Sequence, residues 1–388
     1  MKEDIDFGRI IENPSELELY KNLSQKLIRF LEINGGNSFE EIIRFLGGSD
    51  RRMIRLLDEM VKVGILDFKN KTFFSNNKKD YKIYSHNALC RGCSGKLANQ
   101  QSVPSDLKRL MEQIHKNRPW PTFIFDQRPV TLETTINRAI YASWRGDLHD
   151  KRIAIIGDDD LTSLAIGFLQ VAKEIVVFEI DKRLNTFIKK ISEQLKGKIT
   201  PIRVLSQDIF QGVPKEFKHS FDVFMADPTP NIPCFVSFVN AGINLLKSGP
   251  GQTAYLSLYP SHTKQTLDFQ QEITKRGLLI TDSIPFFTEY EVIPETYTSA
   301  DRKLFKKYAA SGVHTGFFEN LLRLKSTEST KIKPIEVRAE DFLGEATKRV
   351  LKNIGRDPAV GKQSKDRDYL LAEAKRIERG MDKKFKVK

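Results

Sequence analysis

The chain has 388 residues, 40% hydrophobic and 29% charged, enough for more than one folded core and typical of a soluble globular protein. No apolar run approaches the roughly 18 residues of a membrane span, three cysteines exclude a disulfide framework, and Met1-Lys2-Glu3-Asp4 opens no apolar signal region, so a cytoplasmic protein is expected. The net charge of +13 would usually point to nucleic acid, but Ala346 to Lys388 holds 14 Lys or Arg against 6 Asp or Glu, which leaves the rest of the chain at only +5.

Residues 1–80 read as a small helical module. Glu16 to Ile33 has helical periodicity and stops at Gly35-Gly36. Ser38 with Glu41 three residues on is a capping box for a short helix to Phe45. Ser49 to Val63 gives a third helix, and Gly64 to Phe68 with Thr72 to Phe74 gives a hairpin. Three helices and a hairpin make a winged-helix pattern, whose third helix reads DNA in some proteins and only packs or dimerises in others. Asp50, Asp58 and Glu59 interrupt the arginines of that helix, which speaks against nucleic acid.

A linker and helix, 81–118, follow. Cys90 and Cys93 form one CxxC with His86 nearby, which is half of a zinc site; without a second pair it reads rather as a turn with two spare thiols. Ser105 to Asn117 reads as a helix, and Pro119 opens the largest section, 119–345. Leu132 to Arg145 is a further helix, with Glu133 near its start where the dipole favours an anion.

Ile153 to Ile156 is a short buried strand, followed by Gly157-Asp158-Asp159-Asp160 and a helical run from Leu161 to Val171. Strand, tight turn and helix are the entry of a nucleotide-binding α/β unit. Strands at Glu174–Phe178, Ile202–Leu205, Phe221–Ala226 and Gly251–Leu258 alternate with helices at Asn185–Gly197 and Phe235–Leu246, and Leu278 to Tyr290 adds later strand structure. The fold class is α/β, a Rossmann-like, doubly wound parallel sheet. Ligands on such sheets lie at the carboxyl ends of the strands, and here those ends carry Asp158, Asp159, Asp160, Glu179, Asp181, Asp208 and Asp227.

That row fits one cosubstrate better than another. One Asp before a helix is an ordinary cap, but three in a row repel an anionic ligand and attract amines. Glu179 suits a ribose hydroxyl pair, Asp208 an adenine amino group, and Asp227-Pro228-Thr229-Pro230 presents a carboxylate and a carbonyl to an amine. S-adenosylmethionine would bring its own carboxylate against the triple-Asp turn. A like-charge contact there costs about 4 kcal/mol at intermediate dielectric. The decarboxylated form carries a cationic aminopropyl arm instead, and so suits aminopropyl transfer.

Gly157-Asp158-Asp159-Asp160, preceded by Arg145-Gly146-Asp147-Leu148, by Asp126-Gln127 and by Glu133-Thr134-Thr135, and followed by Asp227-Pro228, resembles the branched-chain polyamine synthases, the N4-bis(aminopropyl)spermidine synthases of thermophiles. The high Lys, Arg, Glu and Ile usage agrees with a thermophilic source. The resemblance implies a winged-helix-like N-terminal domain, a Rossmann-like catalytic domain and a flexible basic tail over 346–388. It departs where Thr229 interrupts an Asp-Pro-Pro turn. The implied reaction moves aminopropyl groups from decarboxylated S-adenosylmethionine, a co-substrate and not a resident cofactor, to the central nitrogen of spermidine. A tertiary and then a quaternary product form, with methylthioadenosine released. The leaving group is a neutral thioether, so no metal ligand is assigned.

On this reading Asp159 takes the proton from the attacking amine. Asp158, Asp160, Asp126, Glu133 and Asp227 hold the polyamine and the aminopropyl arm, while Gly157, Glu179, Asp181 and Asp208 hold the nucleoside. Spermidine is the expected partner and a homodimer is compatible with the sequence. Two other readings remain open: a nucleic-acid amino-methyltransferase, which the triple-Asp turn disfavours, and a polyamine-sensing regulator.

Overall fold

The computed structural model describes residues 5–10, 17–46, 50–76, 104–122, 125–259, 263–291, 297–309, 316–338 and 384–387. The Cys90/Cys93 pair, and the basic tail apart from residues 384–387, lie outside the described residues.

The N-terminal elements are helices α1 (Leu17–Asn34), α2 (Phe39–Leu46) and α3 (Asp50–Lys62), then the antiparallel hairpin of β1 (Leu66–Lys69) and β2 (Thr72–Ser75). Ser38 and Glu41 close the capping box reciprocally, at 3.2 and 2.8 Å. Asn70 and Lys71, both at positive φ, form the two-residue turn whose twist matches the strands. The core of this part, with Leu27, Ile54, Leu57 and Phe73, also takes in Tyr308 and Phe318 from much later in the chain. The third helix is therefore a packing face. Arg55 is bonded to Asp301 at 2.7 and 3.0 Å, Arg51 is buried, and Asp58 accepts from the Tyr308 hydroxyl at 2.8 Å.

The second part runs α4 (Ser105–Asn117), α5 (Leu132–Trp144), β3 (Arg152–Ile156), α6 (Thr162–Leu169), β4 (Glu174–Glu179), α7 (Lys182–Gln194), β5 (Ile202–Ser206), β6 (Val223–Ala226), α8 (Ile232–Leu245), β7 (Thr253–Leu258), α9 (Thr263–Lys275), β8 (Leu278–Tyr290), α10 (Ser299–Tyr308) and β9 (Phe317–Ser326). Two short strands, β10 (Ile335–Arg338) and β11 (Lys384–Val387), pair antiparallel. The main sheet has the order β5-β4-β3-β6-β7-β9-β8. Its first five strands are parallel, as expected. The last two are not: β9 inserts between β7 and β8 and pairs antiparallel with both, so the sheet is mixed.

Alternating side chains put the sheet between two apolar layers. Ile153, Ile155, Val177 and Met225 pack on one face with α4 to α7, and Ala154, Ile156, Phe178 and Phe224 on the other with α8 and α9. α4 belongs to the first layer through Leu107, Met111 and Ile114. Two helices start earlier than their apolar periodicity suggests, because polar residues cap them. Asp181 accepts from the Arg183 N–H ahead of α7, and Asn231 from the Cys234 N–H ahead of α8. No helix among the described residues is long and apolar enough to cross a membrane.

The turn into β3 is locked by Asp147. Its carboxylate accepts from Arg323 at 2.7 and 2.9 Å, from the Tyr255 hydroxyl at 2.5 Å and from Lys325 at 3.2 Å, tying the turn to β7 and β9. Burial pushes the Asp147 carboxyl up, but the bonds from Arg323 and Tyr255 and the Lys325 charge outweigh it and hold the group at about 2. A folded-state value below the unfolded one gives stability above about pH 4 that disappears as pH falls through 2. The shift corresponds to about 2 to 3 kcal/mol. Urea unfolding at pH 7, 4 and 2 should show this loss in the wild type. Asp147→Asn should be less stable at pH 7 and lose less on acidification; an unchanged acid slope in the variant would count against the assignment.

Candidate active site

The chain leaves β3 for β4 and β5 on one side and returns to β6 and β7 on the other, so β3 and β6 flank the switch point where a crevice opens. Gly157 ends β3 at φ +72, and its N–H donates to the Phe178 carbonyl at 2.9 Å. An added Cβ would meet nothing nearer than Phe238 at 3.8 Å, so the left-handed backbone, not crowding, calls for glycine. Leu161, at φ +57, then turns the chain into α6.

Three consecutive carboxylates leave this turn in three directions. Asp158 points inward and accepts from the Ser163 N–H at 3.2 Å and from the Ser163 hydroxyl. Asp160 points towards α5, accepting from the Val130 N–H at 3.2 Å and from Arg138. Asp159 lines the cleft, accepting from the Arg128 N–H at 3.3 Å.

Across the switch point, Asp227 ends the β6 side. It accepts from Arg138 at 2.5 Å and from the Tyr290 hydroxyl at 2.7 and 2.8 Å. Arg138 also donates to Ser257 at 2.8 Å and Thr288 at 3.2 Å. Glu179, at the end of β4, accepts the N–H groups of Asp158 and Asp181, each at 2.8 Å.

The cleft spans about 660 Å³, part of it open solvent. Of the residues expected from sequence, Asp126, Gly157, Asp159, Glu179 and Asp227 line it together. Asp158 and Asp160 lie behind it, buried and bonded, and Asp160 lines a smaller adjoining pocket with Arg138. Asp181 caps α7 and accepts from Gln127 at 3.1 Å. Asp208 caps the short turn Ile209–Gln211 through the Phe210 N–H at 3.0 Å. Glu133 is exposed on the first turn of α5, away from the cleft lining.

Burial raises the carboxyls of Asp158 (to about 8), Asp159, Asp160 and Glu179. Crowding by other carboxylates adds to it, most for Asp159, which feels Asp160, Glu179, Asp227 and Asp158. The carboxylates that line the cleft outnumber Arg128 there, so the electrostatic preference is for cations. Among the described residues no group of three or more His, Cys, Asp or Glu could hold a metal ion.

Sequence reasoning missed Arg138, Tyr290, Glu319, Phe238 and Phe317, all of which line one of the two pockets. The signal for Arg138 was a charge set among Ile136, Ala139 and Ile140 on a helix facing the core. For Glu319 it was a carboxylate inside the apolar run from Phe317 to Leu324.

Residues 106–347 match the family described as the branched-chain polyamine synthase A C-terminal domain. The chain is 34% identical over 248 residues to the N(4)-bis(aminopropyl)spermidine synthase of Methanocaldococcus jannaschii, covering 61% of this chain and 68% of that one. It is 27% identical over 294 residues to the enzyme of the same name from Thermococcus kodakarensis, covering 72% and 81%. Its fold is similar to the crystal structure of the branched-chain polyamine synthase from Thermus thermophilus in complex with N4-aminopropylspermidine and 5'-methylthioadenosine. The TM-score is 0.63 at 20% identity, over 83% of this chain and 97% of that one.

The bridge made by Arg138 generates a stability prediction. Removing one partner of a buried ion pair leaves the other uncompensated, at a cost of about 3–5 kcal/mol. Arg138→Gln should lose about that much in denaturant unfolding, and adding Asp227→Asn should restore part of it. Equal stability of the single variant and the wild type would sink the assignment.

Proposed function

The chain belongs to the branched-chain polyamine synthase family, and we propose on that premise that it transfers aminopropyl groups from decarboxylated S-adenosylmethionine to the central nitrogen of spermidine, in the cytoplasm. The observation that carries the proposal is the position of Asp159. Its two neighbours are committed to Ser163 and Arg138, while its own carboxylate faces the cleft.

The acceptor nitrogen arrives protonated at neutral pH and has no lone pair to attack with. Asp159 takes that proton. The nitrogen then attacks the carbon next to sulfur, the C–N bond forms, and the C–S bond breaks with its electron pair going to sulfur. The sulfonium leaves as neutral methylthioadenosine. The tertiary amine made first repeats the sequence: it is deprotonated, attacks, and ends as a quaternary ammonium that has no proton to lose. In-line placement of nitrogen, carbon and sulfur supplies much of the acceleration.

The remaining residues take roles by position. Glu179, beside the Gly157 turn, suits the ribose hydroxyls, and Gly157 lets the backbone approach the nucleoside. Asp227 and Asp126 line the polyamine side of the cleft. Asp158 and Asp160 contribute charge and hold the turn from behind, where their bonds to Ser163 and Arg138 support that part better than direct contact with substrate. Asp181 and Asp208 act through the caps they form.

Asp159→Asn keeps size and polarity but removes the base. Turnover, read as methylthioadenosine release, should fall by about a hundredfold or more, with folding intact. The raised Asp159 carboxyl must lose its own proton before it can act, so wild-type kcat/KM should climb with pH through its pKa, and the variant should lack that limb. Near-normal turnover in the variant would refute the role.

Donor choice is a separate expectation. Calorimetry should give far tighter binding of decarboxylated S-adenosylmethionine than of S-adenosylmethionine, because the latter's carboxylate meets the carboxylate cluster. Comparable affinities, or methyl transfer from S-adenosylmethionine, would favour the methyltransferase reading.

A further inference from the structure

Glu319 is only 3% exposed, yet it lines the cleft. It sits on β9, opposite Thr288 of β8, and alternation puts Phe317, Glu319 and Leu321 on one face of the strand. Its Oε2 is buried with no hydrogen-bond partner among the described residues. A buried carboxylate oxygen without a donor is costly. The Tyr290 hydroxyl hydrogen-bonds Glu319 as well as Asp227 but has a single proton to share between them, and Oε2 stays without a partner. Arg138 gives its Nη atoms to Asp160, Asp227, Ser257 and Thr288, and its Nε does not reach Oε2. Beside the carboxylate, the rings of Phe317 and Tyr290 stack at 4.1 Å and form an apolar wall on the same cleft.

From this geometry we propose that Glu319 is the carboxylate that receives a primary ammonium at the end of an aliphatic amine arm, with the Phe317–Tyr290 stack lying along the methylene chain. The inference rests on the aminopropyl-transfer reading and adds a specificity-determining residue to it. An ammonium supplies the donor that Oε2 lacks, while an alkyl arm needs no polar partner along the ring stack. The arm comes from the acceptor, spermidine, or from the aminopropyl group of the donor; the chemistry is shared. Burial and the nearby Asp227 raise the Glu319 carboxyl well above its ordinary range. An ammonium beside it favours the charged form, so binding of the amine is coupled to proton release.

The experiment compares wild type, Glu319→Gln and Glu319→Asp on three acceptors: spermidine, N-propyl-1,4-diaminobutane and N-butyl-1,3-diaminopropane. Each analogue lacks one terminal amine. With spermidine, Glu319→Gln should raise KM about tenfold or more, the worth of a hydrogen bond to a charged group, while kcat changes far less. On the analogue that lacks the contacted amine the substitution should cost nothing. If the arm is the donor's, the KM of decarboxylated S-adenosylmethionine rises instead and the three acceptors are affected alike. Glu319→Asp should fall between Glu319→Gln and wild type.

Two further readouts separate this from a structural role. The melting temperature of Glu319→Gln should equal or exceed that of the wild type, since an unpartnered carboxyl is removed. Binding of the amine should release up to one proton fewer. Asp227, Tyr290, Arg138 and Asp160, the charged and titratable groups around Glu319, are present in both proteins, so the difference isolates Glu319. Unchanged KM for donor and acceptor overturns the inference, as does a lowered melting temperature with all acceptors slowed equally. Failure of the underlying reading is visible separately, as a wild type that makes no methylthioadenosine. Calorimetric titration of spermidine and of the donor into wild type and Glu319→Gln then still decides whether Glu319 binds an ammonium.

Discussion

Arg138 holds the site together. Its guanidinium joins Asp160, from the turn after β3, to Asp227, from the end of β6, across the point where the chain reverses direction in the sheet. Without it, carboxylates from both strand ends would face each other across a partly dry crevice, where screening is weak. One buried cation pairs with both Asp160 and Asp227 and leaves Asp159 turned to the cleft. The helix that carries Arg138 is itself fixed: Thr131 caps α5, and the Thr135 hydroxyl donates to the Asp160 carbonyl at 2.9 Å. Backbone capping, helix placement and the charge pattern of the cleft are thus one arrangement.

The same arrangement is poor for stability. Asp158, Asp159, Asp160 and Glu179 are raised by burial, and each, left charged and unpartnered, costs free energy. The apolar layers on both faces of the sheet offset this, and so does the Asp147 cluster on the far side of β3. A polyamine supplies the missing cations when it binds, and ligand binding to the folded state stabilises it by mass action. The strain sits where it also discriminates. A cleft lined by more carboxylates than cations is selective for a polycation in a way that a balanced one is not.

Much of this was legible before any coordinates. The strand–turn–helix around Gly157 follows from Ile153 to Ile156, and the carboxylates at the strand ends follow from the parallel sheet that strand–helix alternation implies. That Asp158 and Asp160 both turn away from the cleft was not legible, because burial decides which way each aspartate faces and burial depends on α5. Glu133 looked placed for a ligand by its helix terminus, but that terminus opens to solvent. Asp181 and Asp208 follow strands as ligand residues do, yet their side chains close on nearby N–H groups, a local competition that sequence spacing cannot resolve. The antiparallel insertion of β9 was missed because strand order is set by long-range pairing. Glu319 and Phe317 were missed with it.

The N-terminal module bears on the chemistry through one short segment. Asp159 and Asp160 take the backbone N–H groups of Arg128 and Val130, so the chain from 125 to 131 sets the position of both carboxylates. The Arg128 charge in turn acts on Asp50 and Tyr297, which are bonded to each other where α3 meets the catalytic part. Asp50, raised to about 6 by burial, is close to exchanging its proton under ordinary conditions. A module whose third helix turned outward to read nucleic acid would leave this contact unmade. Here that helix turns Arg51 and Arg55 inward, against Tyr297 and Asp301, where they pack beside the residues that feel the Arg128 charge.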